Sequence, residues 1–210
     1  AHNNLGNILK DLGRLKEAQA SLRQAITLKP DFAEAHNNLA NTLKEQGRLK
    51  EAQASLRQAI TLKPDYAGAH NNLGVLLQEL GRLEEAQVSY RKAITLKPDY
   101  AKAHNNLGNI LKDLGRLNEA EESYRKSIVL KPDYAEAHNN LGVIMQELGK
   151  LEEAEASYTK AIALKPDYAG AHNNLGITLQ KQGRLKETEV SYTKAITLKP
   201  DYAEAHNNLG

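Results

Sequence analysis

The chain has 210 residues, 40% of them hydrophobic and 26% charged, which is enough apolar length for a sizeable core and excludes disorder by composition. Its 28 basic and 26 acidic side chains nearly cancel, leaving a formal charge of +2, so it lacks the concentrated positive surface that binding nucleic acid requires. With no cysteine it has no disulfide, thiolate zinc site or cysteine nucleophile, and with no long apolar run neither a signal peptide nor a membrane span is expected, so a cytoplasmic home is.

The sequence repeats itself. Ala-His-Asn-Asn-Leu begins at residues 1, 35, 69, 103, 137, 171 and 205, a constant step of 34. We therefore divide residues 1–210 into one array of six units, 1–34, 35–68, 69–102, 103–136, 137–170 and 171–204, with the start of a seventh at 205–210, and expect neither linker nor second domain. Along one unit, Asp31 stands where an N-cap belongs and Glu34 follows at capping-box spacing, as in Asp133/Glu136 and Asp201/Glu204. His36, Leu39, Ala40 and Leu43 then recur at the spacing of a one-sided helix, helix A. Gly47 follows its last apolar position, where a residue of positive φ can end the helix and turn the chain. Leu49, Ala52, Leu56, Ala59 and Ile60 define helix B, which Pro64 ends by withholding a backbone donor. Small residues recur where helices must approach closely, at Gly6, Gly74, Gly108, Gly142 and Gly176 on helix A and at Ala18, Ala52, Ala86, Ala120 and Ala154 on helix B, with Thr188 as the exception. One such hairpin cannot bury its own apolar face, so the units must stack.

Leu39, Ala40 or Gly74, Gly47, Ala52, Ala59 and Pro64 resemble the signature of the tetratricopeptide repeat at its own period. The resemblance implies an all-α, right-handed superhelical solenoid of antiparallel helix pairs, a non-catalytic scaffold with no cofactor, whose helix A lines a concave groove for a protein or peptide. His36 and its equivalents depart from the signature, which has Trp or another bulky side chain there; the expected aromatic partner on helix B is Tyr90, Tyr124, Tyr158 and Tyr192, with Leu22 and Leu56 in the first two units.

The histidines lie one per repeat, too far apart to share a metal ion, and are expected to be packing residues with an unnamed hydrogen-bond partner. No catalytic constellation, phosphate loop or glycosylation sequon appears, and paired carboxylates such as Glu84-Glu85 read as solvated helix starts.

The asparagines carry the functional signal. Asn disfavours helix interiors, yet a pair precedes the apolar Leu of every helix A, and its amide offers donors and an acceptor suited to an extended peptide's backbone. The second Asn of each pair, Asn4, Asn38, Asn72, Asn106, Asn140 and Asn174, matches the asparagine ladder of the repeat arm of O-linked N-acetylglucosamine transferases, and that resemblance implies a ligand ladder. Asn41 and Asn109 one turn on, alternating with Val75, Val143 and Ile177, and Lys102 near a helix start complete the candidate groove. The scarcity of basic residues there argues against a carboxylate clamp. Three alternatives remain open: that these amides only hold the stack in register, that the chain is the substrate-selecting arm of an enzyme such as a glycosyltransferase, or that it is a self-assembling array packing head to tail through uncapped ends.

Overall fold

The computed structural model describes residues 1–210 and contains helices only. The helices alternate as A and B: α1 (His2–Asp11), α2 (Leu15–Leu28), α3 (Ala33–Glu45), α4 (Leu49–Leu62), α5 (Ala67–Glu79), α6 (Leu83–Leu96), α7 (Ala101–Asp113), α8 (Leu117–Leu130), α9 (Ala135–Glu147), α10 (Leu151–Leu164), α11 (Ala169–Lys181), α12 (Leu185–Leu198) and α13 (Ala203–Leu209). None is long and apolar enough to cross a membrane.

Each A-to-B turn is a Schellman motif. Gly47 has φ +75°, its N–H reaches the Lys44 carbonyl at 2.8 Å, and the Arg48 N–H reaches the Leu43 carbonyl at 2.9 Å. The same glycine, with φ between 71° and 77°, closes each of the six A helices from α1 to α11 in this way, because only a residue without Cβ adopts that conformation without penalty. The B-to-A turn is built around proline, which holds the preceding Lys63 extended at φ −141°, ψ 85°.

The expected capping boxes do not form. Helix α3 starts one residue later than proposed, with Phe32 at the N-cap and no side-chain cap bond. The Asp31 carbonyl takes the Ala33 N–H and the Phe32 carbonyl takes those of Ala35 and His36, so the turn's own backbone satisfies these donors. Glu34 bonds instead to Lys63 at 3.1 Å, and its own backbone N–H together with that ammonium holds its carboxyl below the usual range.

Two compact units span Ala1–Asn106 and Leu107–Gly210. In the first, α1 pairs with α2, α3 with α4 and α5 with α6; α2 packs on α3 and α4 on α5, and the A helices α1, α3 and α5 lie side by side. Its core gathers Leu22, Leu39, Leu43, Leu56 and Leu76 with Ala40, Ala52, Ala59 and Ala69. In the second, α9 pairs with α10 and α11 with α12, α8 packs on α9 and α10 on α11, and α9 adjoins α11. Tyr124, Ile144, Met145, Tyr158 and Tyr192 are buried there.

The helix-B tyrosines pack on the glycines of helix A. The Tyr158 ring lies flat on Gly142, so close that a Cβ at 142 would sit 2.6 Å from Cε1, and Tyr90, Tyr124 and Tyr192 cover Gly74, Gly108 and Gly176 alike. Where helix B carries the smaller Leu56, helix A carries Ala40, and both are buried.

Candidate functional site

Along the A helices α1 to α11 the second Asn and the residues three and seven further on share one face, as Asn38, Asn41 and Glu45 do in α3; the last of the three is acidic except in α11, where it is Lys181. The first Asn of the pair points inward: Asn37, Asn71, Asn105, Asn139 and Asn173 are 0–7% exposed. The second, Asn38, Asn72, Asn106, Asn140 and Asn174, is half-buried, while Asn4 is exposed.

A buried amide needs partners, and the two asparagines supply them across the repeat boundary. Asn38 Nδ2 donates to Asn3 Oδ1 at 3.0 Å, Asn72 Nδ2 to Asn37 Oδ1 at 2.9 Å and Asn106 Nδ2 to Asn71 Oδ1 at 3.1 Å. In the pairs Asn37/Asn38 and Asn71/Asn72 the first Asn donates to the second at 3.4 Å, so in the first unit the amides form one chain from Asn106 through Asn71, Asn72, Asn37 and Asn38 to Asn3. In the second unit Asn174 donates to Asn139 at 3.2 Å, Asn139 to Asn140 at 3.4 Å and Asn140 to Asn109 at 3.2 Å. Asn173 departs from the pattern by donating to the Glu204 carboxylate at 3.2 Å, while its oxygen accepts from Asn208 at 3.2 Å. An amide has two donor hydrogens and two acceptor lone pairs, so Asn38 and Asn72, after serving the chain, each keep one N–H and one lone pair toward the open face.

The remaining candidates divide. Asn41 is half-buried with an uncommitted amide, Lys102 is exposed on the first turn of α7, and Asn109 is drawn inward, its oxygen accepting from Tyr124 Oη at 2.7 Å and from Asn140. Among the repeats that carry tyrosine, the hydroxyl accounts for the exchange of Asn109 with Val or Ile at this position. Where the position is Val or Ile, the hydroxyl bonds one turn further along helix A: Tyr90 to Gln78 at 3.3 Å, Tyr158 to Gln146 at 3.3 Å and Tyr192 to Gln180 at 3.0 Å. Sequence reasoning missed this exchange, although Gln recurs twelve residues before Tyr in each such repeat.

A row of charges borders the asparagines. In the first unit Lys10 pairs with Glu45 at 3.5 Å and Lys44 with Glu79 at 2.8 Å. In the second, Lys112 turns to its neighbour Asp113 at 3.5 Å, and Glu147 forms no ion pair.

The histidine partner is the proline carbonyl of the preceding turn, at 3.1 Å from Pro30 to His36 Nε2, 3.0 Å from Pro64 to His70 and 3.1 Å from Pro166 to His172, with His104, His138 and His206 alike. A carbonyl can only accept, so Nε2 carries the hydrogen. Burial holds His172 below the ordinary imidazole range, the Pro166 bond opposing it. No three His, Asp or Glu side chains converge as a metal site would need. One carboxylate at each of several B-helix starts is committed as well: Arg48 grips Glu51 through two bonds of 2.7 and 2.6 Å, and Arg82, Arg116 and Arg184 grip Glu85, Glu119 and Glu187 likewise.

Against known proteins, the profile described as TPR repeat matches residues 6–47, 40–81, 77–115, 108–149 and 147–183, and the one described as tetratricopeptide repeat matches residues 169–202. No curated protein matches the chain significantly. Among solved structures it is similar to Pseudomonas aeruginosa pilF (22% identity, TM-score 0.89, covering 99% of this chain and 94% of that one). It is also similar to YrrB, described as a TPR protein with an unusual peptide-binding site (24% identity, TM-score 0.70, 89% and 96% covered). A third is in the Cut9–Hcn1 hetero-tetramer of the APC/C (16% identity, TM-score 0.87), where this chain covers only 41% of the other's length while 99% of its own is matched. At these identities the likeness is one of fold.

Proposed function

Because the chain belongs to the tetratricopeptide repeat family, we propose that it is a protein-interaction scaffold whose A-helix face holds an extended peptide through the second asparagine of each repeat. The observation that carries this reading is the residual capacity of Asn38 and Asn72. Their amide planes are clamped from both sides by other asparagines, so they are preorganised, and each still has a donor and an acceptor to give. An extended backbone presents the complementary pair of groups at every residue whatever its side chains. The peptide site that YrrB's description names lends this reading further support, and family membership supports the absence of catalysis.

The competing reading, that the amides only hold the stack, draws on the same ladder. A random peptide library should discriminate: it binds the parent, and the pairs Asn38→Ala/Asn72→Ala and Asn140→Ala/Asn174→Ala each weaken binding by about tenfold, roughly 1.4 kcal/mol, with helix content unchanged. Equal binding by parent and variants would assign the asparagines to the stack alone.

A further inference from the structure

Neighbouring B helices are tied to one another by polar and charged side chains, and one groove between them lacks both kinds of tie. In the first kind the basic residue of an A-to-B turn reaches back to the preceding B helix, as Arg48 does to Gln19 at 2.9 Å, Lys150 to Glu121 at 3.1 Å and Arg184 to Glu155 at 2.7 Å. In the second an arginine reaches forward, Arg23 to Glu51 at 3.8 Å and Arg125 to Glu153 at 2.7 Å. Between α4 and α6 neither forms. Arg82 gives its bonds to Glu85 alone, and Arg57, the counterpart of Arg23 and Arg125, forms no ion pair. Gln53, the counterpart of Gln19, Glu121 and Glu155, has its Nε2 buried without a hydrogen-bond partner, the one side-chain nitrogen or oxygen of the chain so placed. Burying an amide nitrogen without a partner is costly, so the groove favours a guest that brings an acceptor.

The groove has a volume of about 290 Å³, at the small end of ligand pockets, which run roughly 300–1,000 Å³, and so suits one small molecule rather than an extended segment. Leu73 and Leu77 of α5 and Val88 of α6 give it an aliphatic lining. The charged groups that line it are Arg57 on the α4 wall and Glu84 and Glu85 on the α6 wall, and Glu85 is neutralised by Arg82. That leaves one unpaired cation on one wall and one unpaired carboxylate, Glu84, on the other. Gln53 and Arg57 stand four apart on α4, so the amide donor and the guanidinium share a face.

We propose that the groove between α4 and α6 binds a free aliphatic amino acid, its carboxylate on Gln53 Nε2 and Arg57, its ammonium at Glu84 and its side chain on Leu73 and Leu77. A simple aliphatic acid would leave Glu84 unpaired and repelling it, and an aliphatic amine would leave Gln53 and Arg57 without an acceptor; a zwitterion serves both walls. The site is built on B helices, apart from the asparagine row, and does not depend on the peptide-scaffold reading.

The test follows the methyl and side-chain amide NMR signals of the whole chain while L-leucine, isocaproate or isoamylamine is added, the last two being leucine without its ammonium and without its carboxylate. Leucine should shift the Leu73 and Leu77 methyls and the Gln53 amide saturably, and each of the others should bind about tenfold more weakly or worse. Three substitutions install a residue that another repeat already carries at the same position, so helix content on circular dichroism should match the parent's: Gln53→Glu as at Glu155, Arg57→Thr as at Thr159 and Glu84→Lys as at Lys50. Gln53→Glu removes the donor and offers Arg82 the partner that Glu155 offers Arg184, and it should weaken leucine binding about tenfold. Glu84→Lys should abolish the advantage of leucine over isocaproate, and Arg57→Thr its advantage over isoamylamine. The site is overturned by the absence of a saturable shift, by shifts centred on other residues, by equal affinity for the three probes, or by leucine binding that survives Gln53→Glu. None of these results bears on peptide binding at the asparagines, which the library experiment decides separately.

Discussion

Gly142 and Tyr158 offer a quantitative test of how these repeats are packed. In Gly142→Ala the new Cβ would lie 2.6 Å from Tyr158 Cε1 and 2.8 Å from Cδ1 and Cζ, and the ring is fully buried, so it cannot swing into solvent. Overpacking of this kind costs about 1–3 kcal/mol, while the gain in helix propensity on replacing glycine returns about 1 kcal/mol, leaving a net loss of about 0–2 kcal/mol. Tyr158→Leu removes ring volume and the bond to Gln146 and should cost about 1–3 kcal/mol. The double variant recreates the buried Ala40/Leu56 pair of the second repeat, and the methyl that clashed with the ring now fills part of the space it left. It should therefore be more stable than the sum of the single effects by about 1 kcal/mol or more. Guanidinium unfolding of all four proteins followed by circular dichroism, fitted with a nearest-neighbour repeat scheme, reads the coupling. Additive single effects would show that the ring and the glycine are not in the contact described.

The other predictions concern the polar layer. Asn72→Ala leaves the buried Asn37 Oδ1 without its 2.9 Å donor and should destabilise the protein by about 1–2 kcal/mol in the same unfolding assay; Asn41→Ala, with no such partner, should stay within about 0.5 kcal/mol, and equal losses would refute the amide chain. His172 should titrate below its midpoint in the urea-unfolded chain when followed by ring-proton NMR. Since burial depresses its folded pKa, its contribution is complete above the unfolded value of about 6.5 and is lost as pH falls below it; a folded midpoint at or above the unfolded one contradicts the burial argument.

Much of this architecture is legible from one chain because it depends on local chemistry repeated at a fixed interval. Gly47 and Pro64 act on their own backbone, so turn positions follow from the residue type. Glu34 misled for the complementary reason: capping-box spacing says nothing about whether backbone carbonyls have already claimed the donors, as those of Asp31 and Phe32 have. The His36 bond to Pro30 and the Asn72 bond to Asn37 join groups whose proximity depends on the path of a turn or on the register between repeats. The pairing of Tyr158 with Gly142 leaves a one-sided trace among the repeats, since every tyrosine stands beside a glycine while leucine stands beside either, Gly6 with Leu22 and Ala40 with Leu56. For the candidate site, residue types identified the amide face, but only atomic positions distinguish the half that builds the ladder from the half left available.

The amide chain also bears on how such a gene can change. The rungs at Asn38, Asn72, Asn106, Asn174 and Asn208 join the second asparagine of one repeat to the first of the repeat before it, and each turn staple joins the histidine of one repeat to the proline just ahead of it. Removing or duplicating any whole multiple of 34 residues therefore rejoins like with like, and the polar connections reform at the new junction without a single compensating substitution. Unequal recombination thus lengthens or shortens the array at little structural cost, while it shifts the order in which Asn109, Val143 and Ile177 present themselves. Slippage at the level of DNA becomes a means of editing the row of side chains that a partner would read.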